Sequence, residues 1–157
     1  MALTLLPLLL VTLVQAQAAA PPEATPTAEG LVVMESPRSV AETQAQLEAA
    51  LEANGFIVVA IVDHAQNAAE AGLELRPTRV VLFGNPEAGT PLMQSAQTVA
   101  IDLPQKMLLW EDEDGRVFVA YNDPVYLAER HGLSGMDEML GNIRNALDSL
   151  AAAATAP

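Results

Sequence analysis

Asp63-His64, Glu74, Arg76, Asn85, Asp102, Lys106 and Arg130-His131 are the residues of this chain whose types can do chemistry. A histidine oriented by a carboxylate can take and return a proton near neutral pH. His64 or His131 acting as a base against Asp102 would serve a hydrolase or an isomerase. The same two histidines with Asp102 or Glu74 have the donor types for a metal. They lack the close spacings of a metal motif, so no metal is assigned. Read as a binding set instead, Asp63, His64, Asn85, Pro86, Thr90, Asp102 and Lys106 would line a pocket for a small molecule or ion. They fall at predicted strand ends and in connecting loops, where a rigid sheet holds binding groups.

Each candidate also has a plainer duty. Asp63 is a good helix N-cap, and in an extended segment its side chain would diverge from that of His64. His131 follows Arg130 at a predicted helix end, where the macrodipole favours positive charge. The stretch Gly84-Asn85-Pro86-Glu87-Ala88-Gly89-Thr90-Pro91 has the form of an anion cradle, a glycine-bearing turn before a helix. Glu87 opposes an anion there, and a β-to-α connection needing special backbone angles explains the same residues. The acids of Glu111–Asp114 lack the D-x-[DN]-x-[DN]-G calcium loop and read as a solvated hairpin tip. Trp110 and Tyr121 read as sheet packing.

Common reaction motifs are missing. The chain has no G-x-x-x-x-G-K-[ST], no G-x-G-x-x-G after a strand, no G-x-S-x-G and no H-E-x-x-H. It has no cysteine, which removes disulfides, thiolate metal sites, cysteine nucleophiles and a lipidated-cysteine anchor. Seven Lys and Arg against 20 Asp and Glu give a formal charge of −13. A nucleic-acid partner needs clustered bases, whereas Lys106 is the single lysine and the six arginines are scattered. The acidity reads as solubility, and nothing in the sequence calls for a cofactor.

The 157 residues suit one domain, divided as follows. Leu3 to Val14 (LTLLPLLLVTLV) is an apolar run of 12 residues, short of the roughly 20 that span a bilayer. Small residues follow, suiting a peptidase cut after Ala18 or Ala20, so residues 1–18 read as a signal peptide. The expectation is an exported protein, periplasmic or secreted, touching the membrane only through its leader; an uncleaved anchor is the alternative. Residues 19–29 (AAPPEATPTAE) read as a flexible Pro/Ala-rich tether. The folded domain then covers 30–133, and 134–157 forms an amphipathic helix with an alanine-rich tail.

Leu31–Met34 reads as a strand, and Ser39-x-x-Glu42 as the capping box of a helix ended by Asn54-Gly55. Phe56–Val62 is a continuous β-prone run, expected as a strand buried largely on both faces. A short helix capped by Asp63, a strand at Thr78–Phe83 and a helix at Pro91–Ala96 capped by Thr90 come next. Val99–Pro104 reads as extended. Lys106–Glu111 and Arg116–Tyr121 flank Asp114-Gly115 as a hairpin. A helix from Asp123-Pro124 to Arg130, stopped by Gly132, precedes an amphipathic helix on Met136, Met139, Leu140, Ile143, Leu147 and Leu150. The β-α-β-β-β-β-α-like order implies an α+β fold: two layers, a mainly antiparallel sheet with helices on one face. That leaves a sheet face or edge open, which a homodimer would cover.

The segments FGNPEAGTPLM (Phe83–Met93), IDLP (Ile101–Pro104) and WED (Trp110–Asp112) are long and ordered. With the preceding GFIVVAIVDHAQNAAEAGLEL, they make the chain resemble the bacterial and archaeal domain-of-unknown-function family 302 from about Gly30 to Leu133. The resemblance implies a small α+β domain, an antiparallel sheet backed by helices, and dimers. It implies no reaction. Asp63, His64, Gly84, Asn85, Pro86, Gly89, Thr90, Asp102, Leu103, Pro104 and Lys106 match its pattern without an attached role, and Gln105 departs from it. The leading expectation is a non-enzymatic exported module that binds or senses a small molecule or ion. The alternatives are a His–carboxylate enzyme and an envelope dimerisation or assembly module.

Overall fold

The computed structural model describes residues 25–27 and 30–157; the leader and most of the tether lie outside the described residues. Within the tether, Thr25–Pro26 forms a two-residue strand, β1, paired antiparallel with β2 (Leu31–Ser36). Helix α1 (Val40–Ala53) starts at the expected capping box: the Glu42 amide donates to Ser39 Oγ at 3.3 Å and the Ser39 amide to Glu42 Oε2 at 3.1 Å. Strand β3 (Ile57–Asp63) leads into helix α2 (His64–Glu70), then β4 (Thr78–Gly84) and α3 (Pro86–Ser95). A 3-10 turn (Gln97–Ile101) precedes β5 (Gln105–Glu111), β6 (Val117–Asn122), α4 (Pro124–His131) and α5 (Asp137–Thr155).

The sheet order is β1-β2-β6-β5-β4-β3, antiparallel throughout, so the fold is α+β as its element order implies. Alternation sends Val32, Met34, Val81, Phe83, Met107, Leu109, Val117, Val119 and Tyr121 to one face, under Leu47 and Leu51 of α1 and Leu147, Leu150 and Ala151 of α5. Burying such side chains is the main favourable term in folding. The opposite face carries Val33, Phe118, Leu108, Val80 and Val62, all half-buried and outside both buried clusters. A second cluster, Leu92, Val99, Ala128 and Leu140, joins α3, the 3-10 turn, α4 and α5.

Four expectations change. Strand β3 is not buried on both faces: α1 carries the chain across the sheet and leaves β3 at its far edge, with Ile57 60% and Val59 61% exposed. Helix α3 starts at Pro86, because the Glu87 amide donates to Asn85 Oδ1 at 2.9 Å, and Pro91 falls inside the helix. Gln97–Ile101 is a 3-10 turn where an extended segment was expected, with Val99 buried in the second cluster. The alanine-rich end is no tail either. Helix α5 runs to Thr155 and buries Ala151 and Ala154 in the main core, so residues 134–157 are part of the domain.

Candidate functional site

Strand register decides which candidate residues can meet. Ile57 pairs with Gly84 and Asp63 with Arg79, so Asp63 and Asn85 sit at opposite ends of the β3–β4 pair. Seven residues of strand at about 3.3 Å each separate those ends by roughly 20 Å. Asn85, Asp102, Lys106 and His131 belong to one end, while Asp63 and His64 belong to the other. A single pocket holding all of them does not form. For the same reason His64 cannot act with Asp102, nor share a metal with His131.

At the far end, Asp63 caps α2 by accepting the Gln66 amide at 2.9 Å and pairs with Arg79 Nε at 2.7 Å. Arg79 in turn donates to Gln44 Oε1 of α1 at 2.9 Å, so the group ties the sheet end to a helix. The Gln66 amide, helped by the Arg79 guanidinium, holds the Asp63 carboxyl below its ordinary range. A depressed folded-state value stabilises the fold above the unfolded carboxyl's titration and is lost as pH falls through the folded one. Asp63→Asn should therefore flatten the acid limb of stability below about pH 4, measured by urea unfolding across pH. An acid limb as steep as wild type would show that another carboxylate carries it. His64 is exposed at the start of α2, and Glu74 and Arg76 are exposed on the connection to β4, Arg76 Nε donating to the Glu111 carbonyl at 3.3 Å.

The near end is more closely knit. Asp102 closes the 3-10 turn and is 9% exposed. Its Oδ2 lies 2.6 Å from His131 Nε2, and its Oδ1 lies 3.5 Å from Arg130 Nη1. Lys106 Nζ donates to the Asp102 carbonyl at 2.9 Å. His131 Nδ1 lies 3.1 Å from Thr98 Oγ1. An ionised carboxylate only accepts, so Nε2 carries a proton, and in the neutral imidazole Nδ1 accepts from the Thr98 hydroxyl. The result is a hydroxyl–imidazole–carboxylate relay with a 6% exposed histidine side chain and a hydroxyl at the surface. Hydroxyl, imidazole and carboxylate in this order are the group types that a nucleophile, a base and its orienter require. The His131 and Asp102 pairing anticipated from sequence is thus formed, and His131 is more than a helix-end charge.

Thr98 was not among the sequence candidates. Thr98 and Asp102 stand at the two ends of the 3-10 turn, and both reach the His131 ring, one at each nitrogen. The extended reading of Val99–Pro104 hid that relation. Thr90 is exposed on α3 and, with Met93, Gln94, Ser95 and Gln97, lines a shallow open groove that none of the relay residues lines. Asn85 and Pro86 start α3, and Gly84 and Gly89 lie within van der Waals reach of Pro104 and Leu103 when a Cβ is built on them. Among the described residues no three His, Asp or Glu side chains gather as a metal site would require. The hairpin tip uses Asp112 internally: its Oδ1 accepts the Asp114 and Arg116 amides at 3.0 and 2.9 Å. Trp110 stacks on Phe118 with centroids 5.2 Å apart, and the Tyr121 hydroxyl donates to Asp148.

Three sets of known proteins resemble the chain. Over 113 residues it is 48% identical to the fluoride-specific ion channel FluC 1 of Brucella suis biovar 1, covering 72% of this chain and 44% of that protein. FluC 1 of Brucella abortus biovar 1 and FluC 2 of Brucella melitensis biotype 1 match at the same identity, with 42% of each covered. The chain thus spans less than half the length of these relatives. Among the described residues no helix is long and apolar enough to cross a membrane. The crystal structure of an uncharacterized conserved DUF302 protein from Bacillus stearothermophilus superposes with a TM-score of 0.73 at 20% identity, covering 81% of this chain and 99% of that one. It shares the fold. The model of the family described as domain of unknown function DUF302 matches residues 32–150, from the second strand into the last helix, and the chain belongs to that family.

Proposed function

We propose that this DUF302 domain is a non-enzymatic exported module that binds a small molecule or ion at the sheet end where Thr98, Asp102, Lys106, Arg130 and His131 meet. The observation that carries the reading is the His131–Asp102 contact of 2.6 Å, which gathers Thr98 and Arg130 around one buried carboxylate. The half-exposed Arg130 carries guanidinium N–H donors that a small anion could use, next to the Thr98 hydroxyl whose one proton goes to His131. The Brucella relatives, named as fluoride-specific ion channels, make fluoride the first anion to test. In that picture the module accompanies ion handling while the residues it does not match form the channel, since a bilayer span needs about 20 apolar residues. Export follows from the leader at Leu3–Val14.

The test is thermal unfolding of the purified protein with sodium fluoride, chloride, acetate, nucleotides and divalent metals at constant ionic strength. A ligand at about a hundred times its Kd stabilises by about 2.7 kcal/mol, which raises the midpoint by several degrees in a domain of this size. Arg130→Gln should erase that rise. A flat response to every class would end the binding reading. Asn85→Ala does not discriminate, because losing this cap costs about 1 kcal/mol with or without a ligand.

A second reading has its own support. The relay also meets the geometric demand of a hydrolase, with His131 as base, Asp102 as its orienter and Thr98 as the hydroxyl. An activated ester separates the two: acylation of Thr98, lost in Thr98→Val, would favour the enzyme, and an unmodified chain would favour binding.

A further inference from the structure

The Thr98 hydroxyl has one proton, and the state of the His131 ring decides where it points. Asp102 Oδ2 takes the proton on Nε2 at 2.6 Å. While the ring is neutral, Nδ1 is an acceptor, and the Thr98 hydroxyl 3.1 Å away donates to it. Thr98 is exposed, so in that state its outward side offers lone pairs alone, which disfavour an anion. A proton added at Nδ1 reverses the bond. The imidazolium donates from both nitrogens, Thr98 Oγ1 accepts, and the hydroxyl proton turns outward. One proton taken up by the ring becomes one donor offered at the surface.

We propose that this end of the sheet takes up a small anion together with a proton, the proton on His131 Nδ1 and the anion on Arg130 and the freed Thr98 hydroxyl. The coupling rests on the binding reading of the same site and supplies the second donor that a neutral ring withholds. Charge acts in the same direction. With a neutral ring, an anion at Arg130 also meets the Asp102 carboxylate that Arg130 faces at 3.5 Å; an imidazolium adds one positive charge to the group. Among the described residues Asp102 is the only carboxylate within ion-pair distance of the His131 ring. The other charged groups on the elements packed there are engaged or exposed. Lys106 of β5 donates to the Asp102 carbonyl at 2.9 Å, and Asp123 at the start of α4 pairs with Arg144 of α5 at 3.1 Å. Asp148 takes the Tyr121 hydroxyl, while Glu129 of α4, Asp137 and Glu138 of α5 and Glu87 of α3 are exposed.

Histidine changes charge between about pH 8 and pH 5, so fluoride-electrode titrations of the full chain at those two values bracket the step. The Kd for sodium fluoride should fall roughly tenfold from the higher pH to the lower, within the range that coupled sites show. Linkage is reciprocal, so saturating fluoride should raise the NMR titration midpoint of the His131 ring by about one pH unit. His64, exposed at the far end of the β3–β4 pair, is the internal reference, and its midpoint should stay in place. Thr98→Val should lose most of the gain on acidification, and Thr98→Ser, which restores the hydroxyl, should keep it. A gain as large in Thr98→Val as in wild type overturns the coupling. Equal Kd values at the two pH values, or equal shifts of the two histidines, overturn it as well, and all three results leave the binding reading standing. Fluoride bound at neither pH overturns both.

Discussion

Replacing Asp102 with alanine is expected to lower the unfolding free energy by about 2–4 kcal/mol, a large part of a typical domain's total. The carboxylate is 9% exposed and spans two elements, taking His131 Nε2 at 2.6 Å and Arg130 Nη1 at 3.5 Å from α4 while sitting on the 3-10 turn. Truncation leaves the His131 proton without its acceptor in a side chain only 6% exposed, and an unmade buried hydrogen bond costs more than a made one contributes. Half-exposed Arg130 rehydrates and adds little. His131→Ala should also destabilise. The double variant should cost less than the sum by about 1–2 kcal/mol, because both singles break the same contact. Urea unfolding of the four proteins measures this, and strict additivity would mean that the two groups do not support each other. Thr98→Val tests the other end of the relay: it removes a surface hydroxyl, so its effect on stability should be small even if it abolishes binding.

Local chemistry was legible in the sequence, and sheet position was not. The Ser39–Glu42 capping box, the Asp63 cap, the Asp114-Gly115 hairpin and the stop at Gly132 all form, Gly132 with φ of 66°. Each depends on residues within a turn of one another. A run such as Ile57–Val62 looks the same in a central strand and at an edge, because burial there depends on where α1 delivers the chain. Asn85-Pro86 and Thr90-Pro91 are equally good cap-and-proline pairs on paper. The first prevails because the Asn85 side chain reaches the Glu87 amide. The candidate site was half legible for a related reason. His131 and Asp102 could be named from their chemistry, but Thr98 needed the 3-10 turn, and the separation of His64 needed the register of β3 on β4.

Raising the pH should destabilise this protein through Tyr121, and Tyr121→Phe should blunt the loss. Tyr121 is 2% exposed, and its hydroxyl donates to Asp148 on α5. Burial first, and the Asp148 carboxylate second, push its ionisation well above the ordinary phenol value. Below about pH 10 the phenol is protonated in both states, and its stabilisation is fully present. Above that, the unfolded chain releases the proton while the folded one keeps it, so stability falls with a slope approaching about 1.4 kcal/mol per pH unit. By pH 12 the loss is about 2–3 kcal/mol. At pH 7 the phenylalanine variant should be weaker by about 1–2 kcal/mol, since Asp148 loses its donor. That deficit should shrink with rising pH and vanish or reverse near pH 12. Parallel urea-unfolding curves for the two proteins from pH 7 to 12 would contradict the assignment and place the alkaline sensitivity in another group.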